Sequence, residues 1–88
     1  MSLTDQIQNY VETLVEEKIF EKLGANADED TMIDIACVAL NQLPARYIRY
    51  AVDLVFYMQP EERKKLFDDV EKSVTEAIAY VEKHKRSS

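Results

Sequence analysis

One glycine and two prolines punctuate this chain, and they decide where its regular elements can begin and end. Gly24 closes an apolar series that steps by four residues, so a first helix is predicted to end there with the glycine in the left-handed region. Pro44 follows a run of small residues, Ala36 to Leu43, and pushes the preceding residue out of helical geometry, which stops a second helix at about Gln42. Pro60, with Glu61 and Glu62 behind it, has the composition of a helix first turn. The predicted fold is therefore mainly α, with an extended segment between the second helix and the last.

The first helix is expected to start at Thr4 or Asp5, with Asp5 and Gln8 at capping-box spacing. Its series Ile7, Val11, Val15, Ile19, Leu23 drifts by about 40° at each step. Such a winding stripe is too broad for one contact and implies service to both an internal core and a second subunit. Asp28 or Asp30 caps the second helix. In the last helix Phe67, Val70, Val74, Ala77 and Val81 alternate three and four apart. Glu61–Lys65, Lys65–Asp69 and Asp68–Lys72 stand at i,i+4 spacing on its outer face, and its cationic end, through His84, is expected to fray. Two heptads do not make a coiled coil.

Residues 46–58 satisfy two periods. A strand would put Ile48, Tyr50, Val52, Leu54, Phe56 and Met58 on one face; a helix would align Ile48, Ala51, Val52, Val55 and Phe56. The β-branched and aromatic content favours the strand. A strand needs a partner, and a two-fold homodimer would supply one. At 88 residues the chain forms one domain, 1–88, and a domain of this size gains from a second subunit.

The net charge is −6. Residues 1–30 hold eight acids against Lys18 and Lys22, whereas from residue 59 onward seven acids meet seven bases. An acidic first third repels phosphate, so duplex nucleic acid is a poor partner. The single cysteine, Cys37, rules out an internal disulfide and a thiolate metal site, and its neighbours Ala36 and Val38 predict a buried thiol. No apolar run spans a bilayer and no secretory segment stands out, so the reading is cytoplasmic, away from membranes. A lone histidine with no paired nucleophile and a lone glycine with no phosphate loop point away from an enzyme.

The densest chemistry is Arg46, Tyr47, Arg49 and Tyr50, just past Pro44. Arginine forks match phosphate and stack on flat rings, tyrosine faces stack bases, and Asn41 can read a base edge or cap a carbonyl. The alternative is structural: Arg46 and Arg49 paired with Asp34 and Asp53.

The run Asp34-Ile35-Ala36, continued by Ala39-Leu40-Asn41-Gln42-Leu43-Pro44-Ala45-Arg46-Tyr47-Ile48, resembles the core motif of the ComFB family of late competence development proteins. Tyr50-Ala51-Val52-Asp53 and Pro60-Glu61-Glu62-Arg63 are similar to the proteobacterial branch of that family. The resemblance covers roughly residues 7–83. It implies a small, largely helical dimer, some of whose relatives bind cyclic dinucleotides to regulate motility, surface behaviour or DNA uptake. It also implies that Asp34, Asn41, Arg46 and Tyr47 contact the ligand or hold its pocket together; Arg49 joins them on chemistry alone. Several members carry a cysteine-rich zinc cluster before the Asp-Ile-Ala helix. Residues 24–32 here contain no Cys or His, so no zinc or other cofactor is expected. Asp28, Glu29 and Asp30 could bind a hard cation, but a helix-capping acidic loop is more ordinary. The leading expectation is a non-enzymatic sensor of c-di-GMP or c-di-AMP acting on an unknown effector protein. The alternative is a ligand-free helical dimeric adaptor whose acidic first third binds a basic partner protein.

Overall fold

The longest helix sets the frame. In the computed structural model, which describes residues 3–24, 27–50, 52 and 58–84, Pro60–Lys83 forms one continuous helix, α3. Gln59 precedes it in extended conformation, and Pro60 occupies the first helical position, where the missing N–H costs nothing. Two shorter helices, α1 (Tyr10–Leu23) and α2 (Glu29–Asn41), pack against α3 and against each other. A 3₁₀ turn at Leu3–Gln6 and two short strands, β1 (Gln8–Asn9) and β2 (Tyr47–Ile48), complete the described elements.

Each helix contributes one stripe to a shared core. Val11, Leu14, Val15 and Ile19 come from α1, Ile35 and Ala39 from α2, and Val70, Val74, Ala77 and Val81 from α3. Ile35, Val11, Val15, Val70 and Val74 are the largest side chains wholly removed from water. Burying a side chain of this size stabilises the fold by about 1.5–3 kcal/mol. Ala39 and Ala77 are also fully buried, and their small volume lets the backbones approach closely.

The helical periodicity of α3 is observed as read, with one correction: Phe67 is 42% exposed. At 24 residues α3 is far longer than either neighbour, so its first turns extend past the shared core, whose buried stretch runs from Val70 to Val81. On its outer face Lys65–Asp69 pairs at 2.9 Å, and Lys64–Asp68 at 3.2 Å stands in place of the Glu61–Lys65 and Asp68–Lys72 pairs expected.

The start of the first helix differs from expectation, and the Gly24 cap differs in detail. The first helix begins at Tyr10, because Gln8 and Asn9 are drawn into β pairing; Asn9 is the N-cap, and neither Thr4 nor Asp5 is. Ile7 consequently precedes the helix and is 46% exposed. Gly24 does take a positive φ of 76°, but with ψ of −179°, outside the left-handed helical region. That conformation is essentially reserved for glycine. At the end of α3 the His84 backbone N–H donates to Tyr80 at 3.0 Å and its ring stacks on Tyr80 at 4.2 Å; residues 85–88, to which the expected fraying extends, lie outside the described residues.

The strand between α2 and α3 is shorter than expected, and its partner is different. Among the described residues of this segment only Tyr47–Ile48 is a strand, Arg49 and Tyr50 form a bend, and of the face expected for a strand Ile48 and Met58 are buried whereas Tyr50 and Val52 are each 56% exposed. Leu54 to Phe56, which both the strand and helix readings used, lie outside the described residues. The pairing partner belongs to the same chain: β1 and β2 are antiparallel, with Gln8 opposite Ile48 and Asn9 opposite Tyr47. A second subunit is therefore not needed to satisfy this strand.

Candidate functional site

Asn9 fastens the segment that follows Pro44. Its Oδ1 accepts from the Val11 N–H at 3.3 Å, which caps α1, and from the Arg46 N–H at 2.8 Å. The Tyr10 N–H in turn donates to the Arg46 carbonyl at 2.7 Å. One amide oxygen thus joins a helix start to an arm far along the chain. Below this clamp Ile48 is buried, so the arm has an anchored inner side and an open outer side.

The open side carries the cationic and aromatic residues. Tyr47 is 69% exposed. The Arg49 guanidinium carbon lies 5.1 Å from the centroid of the Tyr50 ring, within cation–π range. Arg46 reaches Glu62, in the first turn of α3, at 3.5 Å. The pairing expected for Arg46, with Asp34 or Asp53, is corrected by that contact; Asp53 lies outside the described residues. None of the described cavities is lined by Arg46 or Arg49.

Asn41 ends α2, and its Nδ2 donates to the Cys37 carbonyl at 2.9 Å while lying 3.8 Å from the Cys37 Sγ. Of the two roles open to it, this side chain takes that of carbonyl cap. Cys37 is exposed, contrary to expectation. It stands two residues from both Ile35 and Ala39, about 200° round the helix from the buried stripe. Asp34, Cys37 and Asn41 share the outer face of α2 at i, i+3 and i+7.

Asp34 is separated from the arm by about 10 Å along α2. It lines a different hollow of about 740 Å³, between the start of α2 and the end of α3, with Asp28, Tyr80 and His84. Four of the five candidate residues thus lie at or beyond the end of α2, and Asp34 does not join them. The sequence reading missed Asn9 and Glu62. An Asn directly before an apolar-periodic run is a cap signal in its own right, whereas the reach from Asn9 to Arg46 is invisible to local patterns.

The acidic loop has a structural occupation. Asp28 Oδ2 accepts from both the backbone N–H and the hydroxyl of Thr31, at 3.1 and 3.0 Å. Among the described residues no group of three or more His, Cys, Asp or Glu side chains is arranged to hold a metal ion. Across α1 and α3, Glu71 accepts from Lys22 at 2.9 Å and pairs with Lys18 at 3.2 Å, while Lys18 also donates to Glu21 at 3.0 Å. The bonds from Lys22 and then Lys18 hold the Glu71 carboxyl below its ordinary pKa. Those to Glu21 and then Glu71 raise that of Lys18.

The described residues form a small helical bundle with a tethered, outward-facing cationic arm, and no helix among them is long and apolar enough to cross a membrane. The sequence matches the family described as Late competence development protein ComFB over residues 8–85, nearly its whole length. The chain belongs to that regulatory family. Neither a curated protein nor a solved structure matches it.

Proposed function

We propose that this chain is a cytoplasmic, non-enzymatic regulator that senses a cyclic dinucleotide, c-di-GMP or c-di-AMP, through the arm after α2, and so controls motility, surface behaviour or competence. The observation carrying this reading is the exposed run Arg46, Tyr47, Arg49 and Tyr50 on a segment anchored from beneath. A cyclic dinucleotide presents two phosphodiesters and two flat purines. Guanidinium forks suit the first, and tyrosine faces suit the second.

Arg46 is available for the exchange. Its contact with Glu62 is long, and both side chains are about half exposed. Surface pairs of this kind contribute only about 0–1 kcal/mol, so a phosphate can displace the carboxylate. Asn41 serves by holding the helix end that leads into Pro44. Asp34 lines the separate hollow beside Tyr80 and His84, and this reading of the arm does not require it. A two-fold homodimer would bring two arms to one two-fold symmetric ligand, and the occupied arms would then change the face offered to an effector protein.

Thermal unfolding with c-di-GMP and with c-di-AMP tests the reading. Ligand at a hundredfold excess over Kd adds about 2.7 kcal/mol. For a domain of this size that raises Tm by about 10–20 °C. Arg46→Ala and Arg46→Lys should both abolish the shift, because a lysine lacks the fork. No shift and no heat with either nucleotide would remove the proposal.

A further inference from the structure

The two sides of α1 treat charge differently. On one side Lys18 and Lys22 are tied to Glu21 and Glu71. On the other, Glu12 and Glu16 stand one turn apart, and Glu29 of α2 joins them round a single groove. All three are exposed, and among the described residues none of them takes part in an ion pair. Like charges at i,i+4 repel, so the free protein carries an uncompensated acidic rim.

The groove inside that rim is apolar. Ile19 and Leu40 form its floor, and its lips are Phe20 and Ile33, 48% and 56% exposed. Its volume is about 310 Å³, at the small end for a ligand pocket and suited to a few side chains. It runs from Glu12 to Phe20 along α1 and from Glu29 to Leu40 along α2, about 12 and 16 Å. That is the length of two to three helical turns.

We propose that this groove docks an amphipathic helix of a partner protein whose apolar face carries flanking Lys or Arg residues. Apolar anchors spaced three and four apart enter between Phe20 and Ile33, as in other helix-in-groove contacts. The flanking cations meet Glu12, Glu16 and Glu29. The charge pattern selects this occupant over a second copy of the chain, because a two-fold axis through the groove would set glutamates against glutamates. The surface is separate from the arm, so the inference stands whether or not a nucleotide binds there.

The test uses three labelled synthetic helices: one with leucines on one face and lysines flanking them, one with glutamines for the lysines, and one with serines for the leucines. By fluorescence anisotropy only the first should bind well, and added salt should weaken it. Glu12→Gln, Glu16→Gln and Glu29→Gln together should weaken binding about tenfold. Removing the same charge elsewhere, through Glu61→Gln, Glu76→Gln and Glu82→Gln, should change it less than about twofold. Ile33→Asp should abolish binding with helicity retained by circular dichroism, and Ile33→Ser gives the same reading in case the aspartate unfolds the chain. Failure of the lysine helix to bind would overturn the proposal, as would equal losses from the two glutamine sets. So would a dimer in sedimentation that Ile33→Asp makes monomeric, since the groove would then belong to a second copy.

Discussion

The helical bundle and the arm after Pro44 are held by different kinds of force. In the bundle, three helices share a core of ten buried residues, so the loss of any one contact is spread over many neighbours. The arm hangs on the Asn9 oxygen, the short β1–β2 pairing with the bond from Tyr10 beside it, and the burial of Ile48. Non-directional burial fixes the first region; a few directional bonds fix the second. The arm can therefore reorganise while the scaffold beneath it stays intact, as expected of regions at the low end of local stability.

Mutations that separate the two regions sharpen this contrast. Ile35→Ala should produce the largest loss, about 2–5 kcal/mol, because it empties a site at the centre of all three helices. Denaturant unfolding should show the whole domain melting earlier in one transition. Asn9→Ala should cost about 1–2 kcal/mol from the lost cap. Hydrogen exchange should then speed at Arg46, and Asn9→Asp, which keeps the acceptor, should restore both properties. Arg46→Ala should change stability by less than about 0.5 kcal/mol while removing any nucleotide response, a comparison that thermal unfolding with and without ligand makes directly.

The smallest effect concerns pH. Glu71 has a lowered pKa in the fold, so the unfolded chain binds its proton first and the carboxylate's stabilisation is present above the ordinary glutamate range. It is lost as pH falls from the ordinary glutamate range through the lowered folded value. Lys18 behaves in the opposite sense: its stabilisation holds below the ordinary lysine range and fades as pH rises through the raised value. Glu71→Gln should therefore lower Tm slightly at neutral pH, and the difference from the unaltered protein should close in acid.

Legibility in the sequence followed the range of the determining contacts. Pro60, the Val70–Val81 series and the Asp28 cap depend on residues within a turn or two, and all three stand as read. The membership in the ComFB family was likewise legible, from a contiguous motif. The start of α1 was not, because the competing claim on Gln8 and Asn9 comes from Tyr47 and Ile48. Cys37 departs from expectation for a simpler reason: apolar neighbours in sequence need not be neighbours in space, because adjacent residues on a helix point about 100° apart. Among the candidate residues, Arg46, Tyr47 and Arg49 group together by adjacency in the sequence, whereas the distance of Asp34 from them depends on the direction of α2.

The shared oxygen of Asn9 has a practical corollary for anyone labelling or fusing this protein. A bulky group attached ahead of Gln8 that twists the short strand would be felt at Arg46, 37 residues beyond Asn9, on the arm proposed to bind the nucleotide. Reporter groups belong instead on Cys37, a solvent-accessible thiol already present on the outer side of its helix.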